Sequence, residues 1–170
     1  ATRDLAADLL VIPVFEDDDP ADEDGLDAAS GGECGRARSR GEFTGAAFTQ
    51  LFIPIEDGTW KTRRALLVGV GSRKDYTADR LRRIATIGGL AARQRRLTSV
   101  AIAARAVDGV PVERVVQALA EGAILANYEG TSYKTAEPPS VWLERVELRA
   151  SGASGGAAQA LERGRVLGEC

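Results

Sequence analysis

The sequence predicts an α/β fold with a mixed, mostly parallel sheet and helices on both faces. Two observations carry this prediction. Nearly continuous apolar runs at residues 7–15 and 64–71 are typical of strands that are buried on both sides. Between such runs lie stretches in which apolar residues recur every three or four positions, as they do in helices. Strands that alternate with helices favour a sheet whose strands run mainly in one direction.

The apolar runs predict five strands. They cover residues 7–15, 49–55, 64–71, 97–106 and 141–150. An acidic turn at residues 16–25 separates the first strand from a weakly helical region, residues 26–43. In that region Gly31, Gly32 and Gly35 each disfavour a helix by about 1 kcal/mol relative to alanine, so we expect a short helix.

Longer helices are predicted after the third, fourth and fifth strands. Thr77 suits the N-cap of the first of them, and Gly88 and Gly89 in its middle predict close contact with another backbone. Pro111 suits the first turn of the second helix. The end of that helix, residues 122–128, is apolar nearly all round, which predicts deep burial.

The last predicted helix carries an apolar stripe of Leu161, Val166 and Leu167, and no capping Gly or Pro follows it. The sequence also contains no Met. Together these features predict that residues 1–170 are one domain of a longer protein. Cys170 is then not expected to be a functional thiol, and the stripe is expected to lack part of its partner surface.

Composition excludes several kinds of chemistry. The chain has no His, which removes histidine-based acid–base catalysis, Ser-His and Cys-His dyads, and histidine metal ligands. Its two cysteines, Cys34 and Cys170, are far apart, form no disulfide framework and indicate a reducing, cytoplasmic setting. A net charge of -3 gives nucleic acid no general attraction. No apolar run approaches the length of a membrane span.

The acidic turn partly matches the calcium-binding EF-hand loop, which needs acids at positions 1, 3 and 5, Gly at 6 and Glu at 12. With Gly25 at position 6, Asp22 and Asp24 fit the pattern. Pro20 then occupies position 1 and Gly31 position 12, so the pattern fails. We expect a solvated loop and no metal site in this chain.

Two glycine-containing loops between a strand and a helix are candidate anion sites. Their glycine and serine residues could present backbone N–H groups to a phosphate. They are Gly69, Gly71 and Ser72 in the first loop, and Gly152, Gly155 and Gly156 in the second. The first loop lacks the third Gly of a dinucleotide motif, because Lys74 stands there. We favour a tight turn for the first loop and a flexible connector for the second.

Two arginine clusters lie on the helix that follows Thr77. They consist of Arg80, Arg82 and Arg83, and of Arg93, Arg95 and Arg96. Such clusters could grip the phosphates of a nucleic acid, but no aromatic residues are interleaved to stack on bases. A solvated helix face is therefore favoured.

The stretch "NYEGTSYKT" (127–135) contains Tyr128, Tyr133 and Lys134. A Lys beside a Tyr can act as a base, but this usually needs burial and a Ser partner. We therefore favour a helix end whose aromatic residues anchor the following loop.

Several stretches, in order along the chain, resemble the N-terminal domain of the leucyl (cytosol) aminopeptidase family. The clearest is "ALAEGAILANYEGTSYKT", which is similar to the end of that domain's last large helix. The others are "ADLLVIPVFEDD", "LDAASGG" followed by "GEFTG", "RALLVGVGSRKDYTADRLRRIA" and "GRVLGEC", the last resembling the start of the helix that leads into the catalytic domain. The likeness spans essentially the whole chain.

This resemblance implies a macro-domain-like fold and a parent metalloaminopeptidase that removes N-terminal residues, often Leu, from peptides. It also implies two divalent metals, Zn or Mn, and a hexameric assembly. The family's metal ligands lie in the C-terminal domain, and its signature Asn-Thr-Asp-Ala-Glu-Gly-Arg-Leu is absent from this sequence. No catalytic residue is therefore carried over, and Lys134 matches a motif of the N-terminal domain.

Three functions remain open from the sequence. The first is a non-catalytic N-terminal domain that takes part in assembly and in access to the active site. The second is a stand-alone macro-like module that binds ADP-ribose or another nucleotide at one of the glycine loops. The third is weak nucleic-acid binding through the arginine-rich helix.

Overall fold

The computed structural model describes residues 1–19, 24–105, 109–128, 141–150 and 156–169. Within them the strands are β1 (Leu9–Phe15), β2 (Gln50–Pro54), β3 (Arg64–Gly71), β4 (Ser99–Ala104) and β5 (Arg145–Ala150). They form one sheet in the order β2-β3-β1-β4-β5. Strand β2 runs antiparallel to β3, and the other neighbouring strands are parallel. The predicted mixed, mostly parallel sheet is confirmed.

Helices connect most of these strands. They are α1 (Leu26–Ala29), α2 (Glu33–Ser39), α3 (Ala78–Gln94), α4 (Val112–Leu125) and α5 (Ala157–Glu169). Short 3-10 turns lie at Thr2–Asp4 and Arg73–Asp75. The hydroxyl oxygen of Thr77 accepts a hydrogen bond from the Arg80 N–H at 3.3 Å, so the predicted cap of α3 is confirmed.

Strand β1 lies at the centre of the sheet, and all seven of its residues are buried. Its side chains alternate between two hydrophobic cores, as the strand period requires. Leu9 and Val11 belong to the core beneath α3 and α4. Leu10 and Ile12 belong to the core beneath α1 and α2. Helices therefore cover both faces of the sheet, as predicted.

The helical region predicted at residues 26–43 forms the two short helices α1 and α2. Gly31 and Gly32 lie between them with φ angles of 66° and 85°. This left-handed conformation is easy for glycine and costly for other residues, so the chain turns here.

The pair Gly88 and Gly89 lets α3 pack closely, as predicted, although against side chains more than backbone. A Cβ atom added to Gly88 would lie 2.7 Å from a methyl group of Val11. One added to Gly89 would lie 2.4 Å from the Cβ of Ala126, beyond the end of α4. These glycines bring α3 down onto β1 and against the end of α4.

The predicted deep burial of residues 122–128 holds for part of that segment. Gly122, Ala123 and Ala126 are buried, and Gly122 and Ala126 pack against α3. Leu125 and Tyr128 are 41% and 76% exposed. The apolar composition therefore leaves large side chains on the surface at this end of α4.

Candidate functional site

The carboxyl ends of β1, β3 and β4 lie at one edge of the sheet, where open α/β sheets commonly bind ligands. The predicted anion loop with Gly69, Gly71 and Ser72 is found here. The backbone N–H of Gly69 donates to the Thr49 carbonyl at 2.8 Å, and that of Gly71 donates to the Gly45 carbonyl at 2.9 Å. Both amides already bind the chain itself, and phosphate binding at this loop stays a prediction.

The glycine at position 69 is explained by packing. A Cβ atom at Gly69 would lie 2.0 Å from the Ala46 carbonyl oxygen and 2.5 Å from the Thr49 hydroxyl. Backbone atoms cannot move aside as a flexible side chain can. The residue therefore allows the segment before β2 to lie directly on β3.

Asp18 binds two arginines at this same edge. Its Oδ1 accepts a hydrogen bond from Arg73 Nη2 at 2.5 Å, and its Oδ2 accepts one from Arg105 Nη1. Oδ2 also accepts the backbone N–H of Phe15 at 2.9 Å. Asp17 binds Arg73 as well, at 2.9 Å. The carboxylate therefore ties together the chain segments that leave β1, β3 and β4.

Tyr76 lies behind this cluster and is 4% exposed. Its ring meets Phe15 edge-on at a centroid distance of 4.9 Å. Its hydroxyl oxygen is buried and makes no hydrogen bond to the residues that the structure describes. Burial raises the pKa of Tyr76 above its ordinary value, with Arg105 acting in the opposite direction. The hydroxyl of Tyr76 is therefore protonated and uncharged at neutral pH.

Of the second glycine loop, Gly152 and Gly155 lie outside the described residues. Gly156 comes immediately before α5, and its carbonyl accepts the Ala160 N–H at 3.0 Å. A Cβ atom at Gly156 would lie 3.1 Å from Glu113 at the start of α4. An acidic side chain thus lies beside this position, which would repel an anion.

The first arginine cluster of α3 makes contacts within the chain. Arg82 binds Glu121 of α4, with Nε 2.7 Å from Oε2. Arg80 Nη1 donates to the Val70 carbonyl at 2.7 Å, and Arg83 pairs with Asp79 on the surface at 3.0 Å. Arg83 is exposed, as expected for a solvated helix face, whereas Arg82 is only partly exposed.

Arginines of the second cluster contact aromatic rings and backbone carbonyl groups. Arg93 Nε donates to the Val141 carbonyl at 2.7 Å, and its guanidinium carbon lies 4.9 Å from the Trp142 ring centroid. Arg95 lies 4.2 Å from the ring centroid of Phe52 on β2. Arg96 has a φ angle of 58° just after the helix. Arg93 and Arg95 therefore contribute to packing.

Asn127 links the end of α4 to the residues before β5. Its Oδ1 accepts the Leu143 N–H at 2.9 Å, and its Nδ2 donates to the Leu143 carbonyl at 3.0 Å. Because the Leu143 backbone is bound to a side chain, β5 begins at Arg145 and not at residue 141 as predicted. Tyr133 and Lys134 lie outside the described residues, so the anchoring of this loop by aromatic residues stays a prediction.

An apolar groove of about 310 Å³ lies between α4, β5 and α5. Among the described residues, its wall from α5 consists of Leu161 and Arg165. The other lining residues come from α4 and β5 and the residues beside them, and include Ala120, Ala123, Ile124, Asn127, Leu143, Val146 and Leu148. This cavity is large enough for apolar side chains or a small ligand.

The acidic turn is described in part. Asp22 lies outside the described residues, and Asp24 accepts a hydrogen bond from the Thr2 backbone N–H. Across the described ranges, no group of three or more acidic, cysteine or histidine side chains could hold a metal ion. In the same part of the chain, no helix is both long and apolar enough to cross a membrane.

Solved structures of other proteins share this fold. A tomato leucine aminopeptidase mutant superposes with a TM-score of 0.82 and 19% identity, over 99% of this chain and 34% of its own. The bottromycin maturation enzyme BotP superposes with a TM-score of 0.69 and 23% identity, over 96% of this chain and 31% of its own. The fold is thus that of an α/β domain that also occurs within longer chains.

Sequence comparison gives the family. The sequence model of the cytosol aminopeptidase family, N-terminal domain, matches residues 11–137. A probable cytosol aminopeptidase from Geobacter sp. (strain M21) is 35% identical over 130 residues, which are 76% of this chain and 26% of that protein. One from Thermosynechococcus vestitus is 31% identical over 141 residues, 79% of this chain and 28% of that protein. The chain belongs to the cytosol aminopeptidase family and matches its N-terminal domain.

The chain spans about a quarter of the length of these curated relatives. The predicted resemblance to the family is confirmed. The expectation that residues 1–170 are one domain of a longer protein stays a prediction.

Sequence reasoning missed three features of the fold: the Asp18 cluster, the Asn127 link and the groove beside α5. Asp18 and Arg105 are 87 positions apart, and Asn127 and Leu143 are 16 apart. No local pattern pairs such residues. The acidic turn could have signalled that a basic partner was needed, but not which arginine supplies it.

Proposed function

We propose that this chain is the non-catalytic N-terminal domain of a metalloaminopeptidase that removes N-terminal amino acids, often Leu, from peptides. The observation that carries the proposal is the family match over residues 11–137 in a chain about a quarter as long as its relatives. The absence of the catalytic signature from the sequence supports a non-catalytic role.

Two divalent metals, Zn or Mn, would be bound by the catalytic domain of the full-length enzyme. A structure of the neighbour BotP is in complex with Mn, which supports this part of the proposal. The described residues of the present chain offer no matching cluster of ligands, so no step of the chemistry is placed here.

The domain would act by binding its own catalytic domain, by taking part in a hexameric assembly and by shaping access to the active site. The half-exposed apolar residues Leu161 and Leu167 of α5 support a role in contacts outside this chain. The names of the cytosol aminopeptidase relatives support a cytoplasmic location.

The experiment compares hydrolysis of leucine p-nitroanilide by the pure chain and by the full-length protein, each with Mn or Zn added. We expect no turnover by the chain at any metal concentration and metal-dependent turnover by the full-length protein. Metal-dependent turnover by the chain alone would contradict the proposal, as would a full-length protein that is inactive on a panel of peptides.

A second measurement tests assembly. Light scattering of the full-length protein should give a hexamer, whereas a variant that lacks residues 1–156 should give a smaller assembly or lower activity per protomer. An unchanged mass together with unchanged activity would argue against a role in assembly and access.

A further inference from the structure

Helix α5 packs on α4 through its smallest residues. Ala160 and Gly164 are its buried positions. A Cβ atom at Gly164 would lie 2.5 Å from the Gln117 carbonyl oxygen, and one at Gly168 would lie 2.7 Å from the Ile124 Cβ. The side of α5 that faces α4 therefore leaves no room for a large side chain.

Of the large apolar residues of α5, Leu161 and Leu167 flank this contact and Val166 faces away from it. Leu161, Val166 and Leu167 are 48%, 46% and 55% exposed. At roughly 100° per residue, Val166 and Leu167 lie about 140° and 120° from Leu161, in opposite directions around the helix. The predicted single stripe is thus spread over three sides. Helices with apolar residues on several sides are usually covered on more than one of them.

The groove beside Leu161 is shaped to take apolar side chains. The side chains of Val146 and Leu148 on β5 line it and are half-buried, whereas every residue of β1 is buried. A cavity of roughly 150 Å³ admits one benzene ring, so the 310 Å³ of this groove suits about two side chains of medium size. Its charged residues, which include Arg165, lie on helix and strand surfaces and not at the apolar floor formed by Ala120 and Ala123.

We propose that the groove between α4, β5 and α5 receives apolar side chains of the catalytic domain in the full-length protein. This inference rests on the proposed function. The occupant follows from the comparisons, because the relatives are about four times longer and the match is to their N-terminal domain. Their remaining residues therefore continue from the α5 end of the fold.

A segment joined to α5 has a high effective concentration at the groove. Glu169, the last described residue, lies one helical turn from Arg165 in the groove wall. Tethered groups at such short range reach effective concentrations near the millimolar range, so even a weak apolar contact would be occupied.

The test measures the reaction of engineered thiols with a maleimide. The background variant is Cys170→Ser, and Cys34 stays unreactive because it is buried and burial raises its pKa to about 11. Leu161→Cys and Arg165→Cys place thiols in the groove wall. Ser39→Cys, exposed on α2 at the opposite face of the sheet, is the matched control. Each variant is prepared as the isolated chain and as the full-length protein.

We expect Leu161→Cys and Arg165→Cys to react at least ten-fold more slowly in the full-length protein than in the isolated chain, and Ser39→Cys to react equally in both. Equal rates for both groove thiols would overturn the proposal. Slow reaction already in the isolated chain would also overturn it, since the chain's own residues would then fill the groove.

Two further outcomes separate the alternatives. Protection that is lost on dilution would assign the groove to a second copy of the chain and contradict the proposal. Protection of the groove thiols in a full-length protein that hydrolyses no peptide would support the docking and contradict the proposed function. An active full-length enzyme whose groove thiols are not protected would support the proposed function and contradict the docking.

Discussion

Arg82 of α3 and Glu121 of α4 form a buried ion pair, with Arg82 Nε 2.7 Å from Glu121 Oε2. The Glu121 side chain is 8% exposed, and Gln117 Nε2 donates to its other oxygen at 2.8 Å. Burial acts to raise the pKa of Glu121, but the hydrogen bonds from Gln117 and Arg82 outweigh it and hold the pKa below its ordinary value.

Replacement of Arg82 by Ala should destabilise the domain by about 3 kcal/mol, because it leaves the Glu121 carboxylate buried without its cation. This value is at the lower end of the usual cost of removing one partner from a buried ion pair, since Arg82 is itself 27% exposed. Urea unfolding followed by circular dichroism measures the change. Arg83→Ala removes an exposed pair with Asp79 and should cost less than about 1 kcal/mol. Similar losses of stability for both variants would contradict the burial of Glu121 in its pair with Arg82.

Replacement of Gly69 by Ala should destabilise the domain by about 1–3 kcal/mol, because the new methyl group overlaps the Ala46 carbonyl oxygen. The control is Gly58→Ala, whose added Cβ meets nothing within 4 Å. That variant should be neutral or slightly stabilising. A tolerant Gly69→Ala variant in thermal unfolding would show that this segment does not rest on β3 in solution.

Asp8 should make stability depend on pH in acid. Hydrogen bonds from the Ser99 hydroxyl and from the Ser99 and Thr98 amides hold the pKa of Asp8 below its ordinary value, against a smaller effect of burial. A lowered folded-state pKa gives stability that is present above the unfolded pKa of roughly 4 and is lost as pH falls through the folded value.

The wild type should therefore exceed Asp8→Asn in stability by about 1 kcal/mol at pH 7, a value reduced because Asp8 is exposed. The difference should stay constant down to about pH 5 and shrink below pH 4. Urea denaturation from pH 2.5 to pH 7 tests this. A difference in stability that grows as the pH falls would contradict the lowered pKa of Asp8.

Cys34 should be unreactive in the folded chain. Burial raises the pKa of its thiol to about 11, and the side chain is 1% exposed. At pH 7.5 its thiolate fraction is lower than that of a free cysteine by about 100-fold or more. In the Cys170→Ser background, reaction with Ellman's reagent should be slow in buffer and fast in 8 M urea. Fast reaction in buffer would mean that α2 opens readily.

The fold class could be predicted because burial on both faces leaves a local mark on the sequence. The run at residues 64–71 gave β3 with its observed bounds, Arg64–Gly71. The start of β5 was placed too early, because Val141 and Leu143 are held by the side chains of Arg93 and Asn127 and not by β4. Such contacts depend on residues brought together by folding, which apolar periodicity does not report.

The chemistry of the surface was harder to predict for the same reason. The arginines of α3 are close in sequence, which suggested a shared task. Folding gives them separate ones: Arg82 binds α4, Arg93 binds the residues before β5, and Arg95 packs on β2. Each partner lies far along the chain, so the division of roles could not be read from the spacing.

The way α5 rests on α4, through glycine and alanine, also governs how force would pass through this fold. A pull or twist applied to α5 would reach the sheet mainly by way of α4, because the main contact of α5 is with α4. Because a Cβ atom at Gly164 would already overlap the Gln117 carbonyl, the two helices are in close contact there and should move together. Force on α5 would then pass through the contact at Gly164 to α4 and, by way of Arg82 and Glu121, to α3.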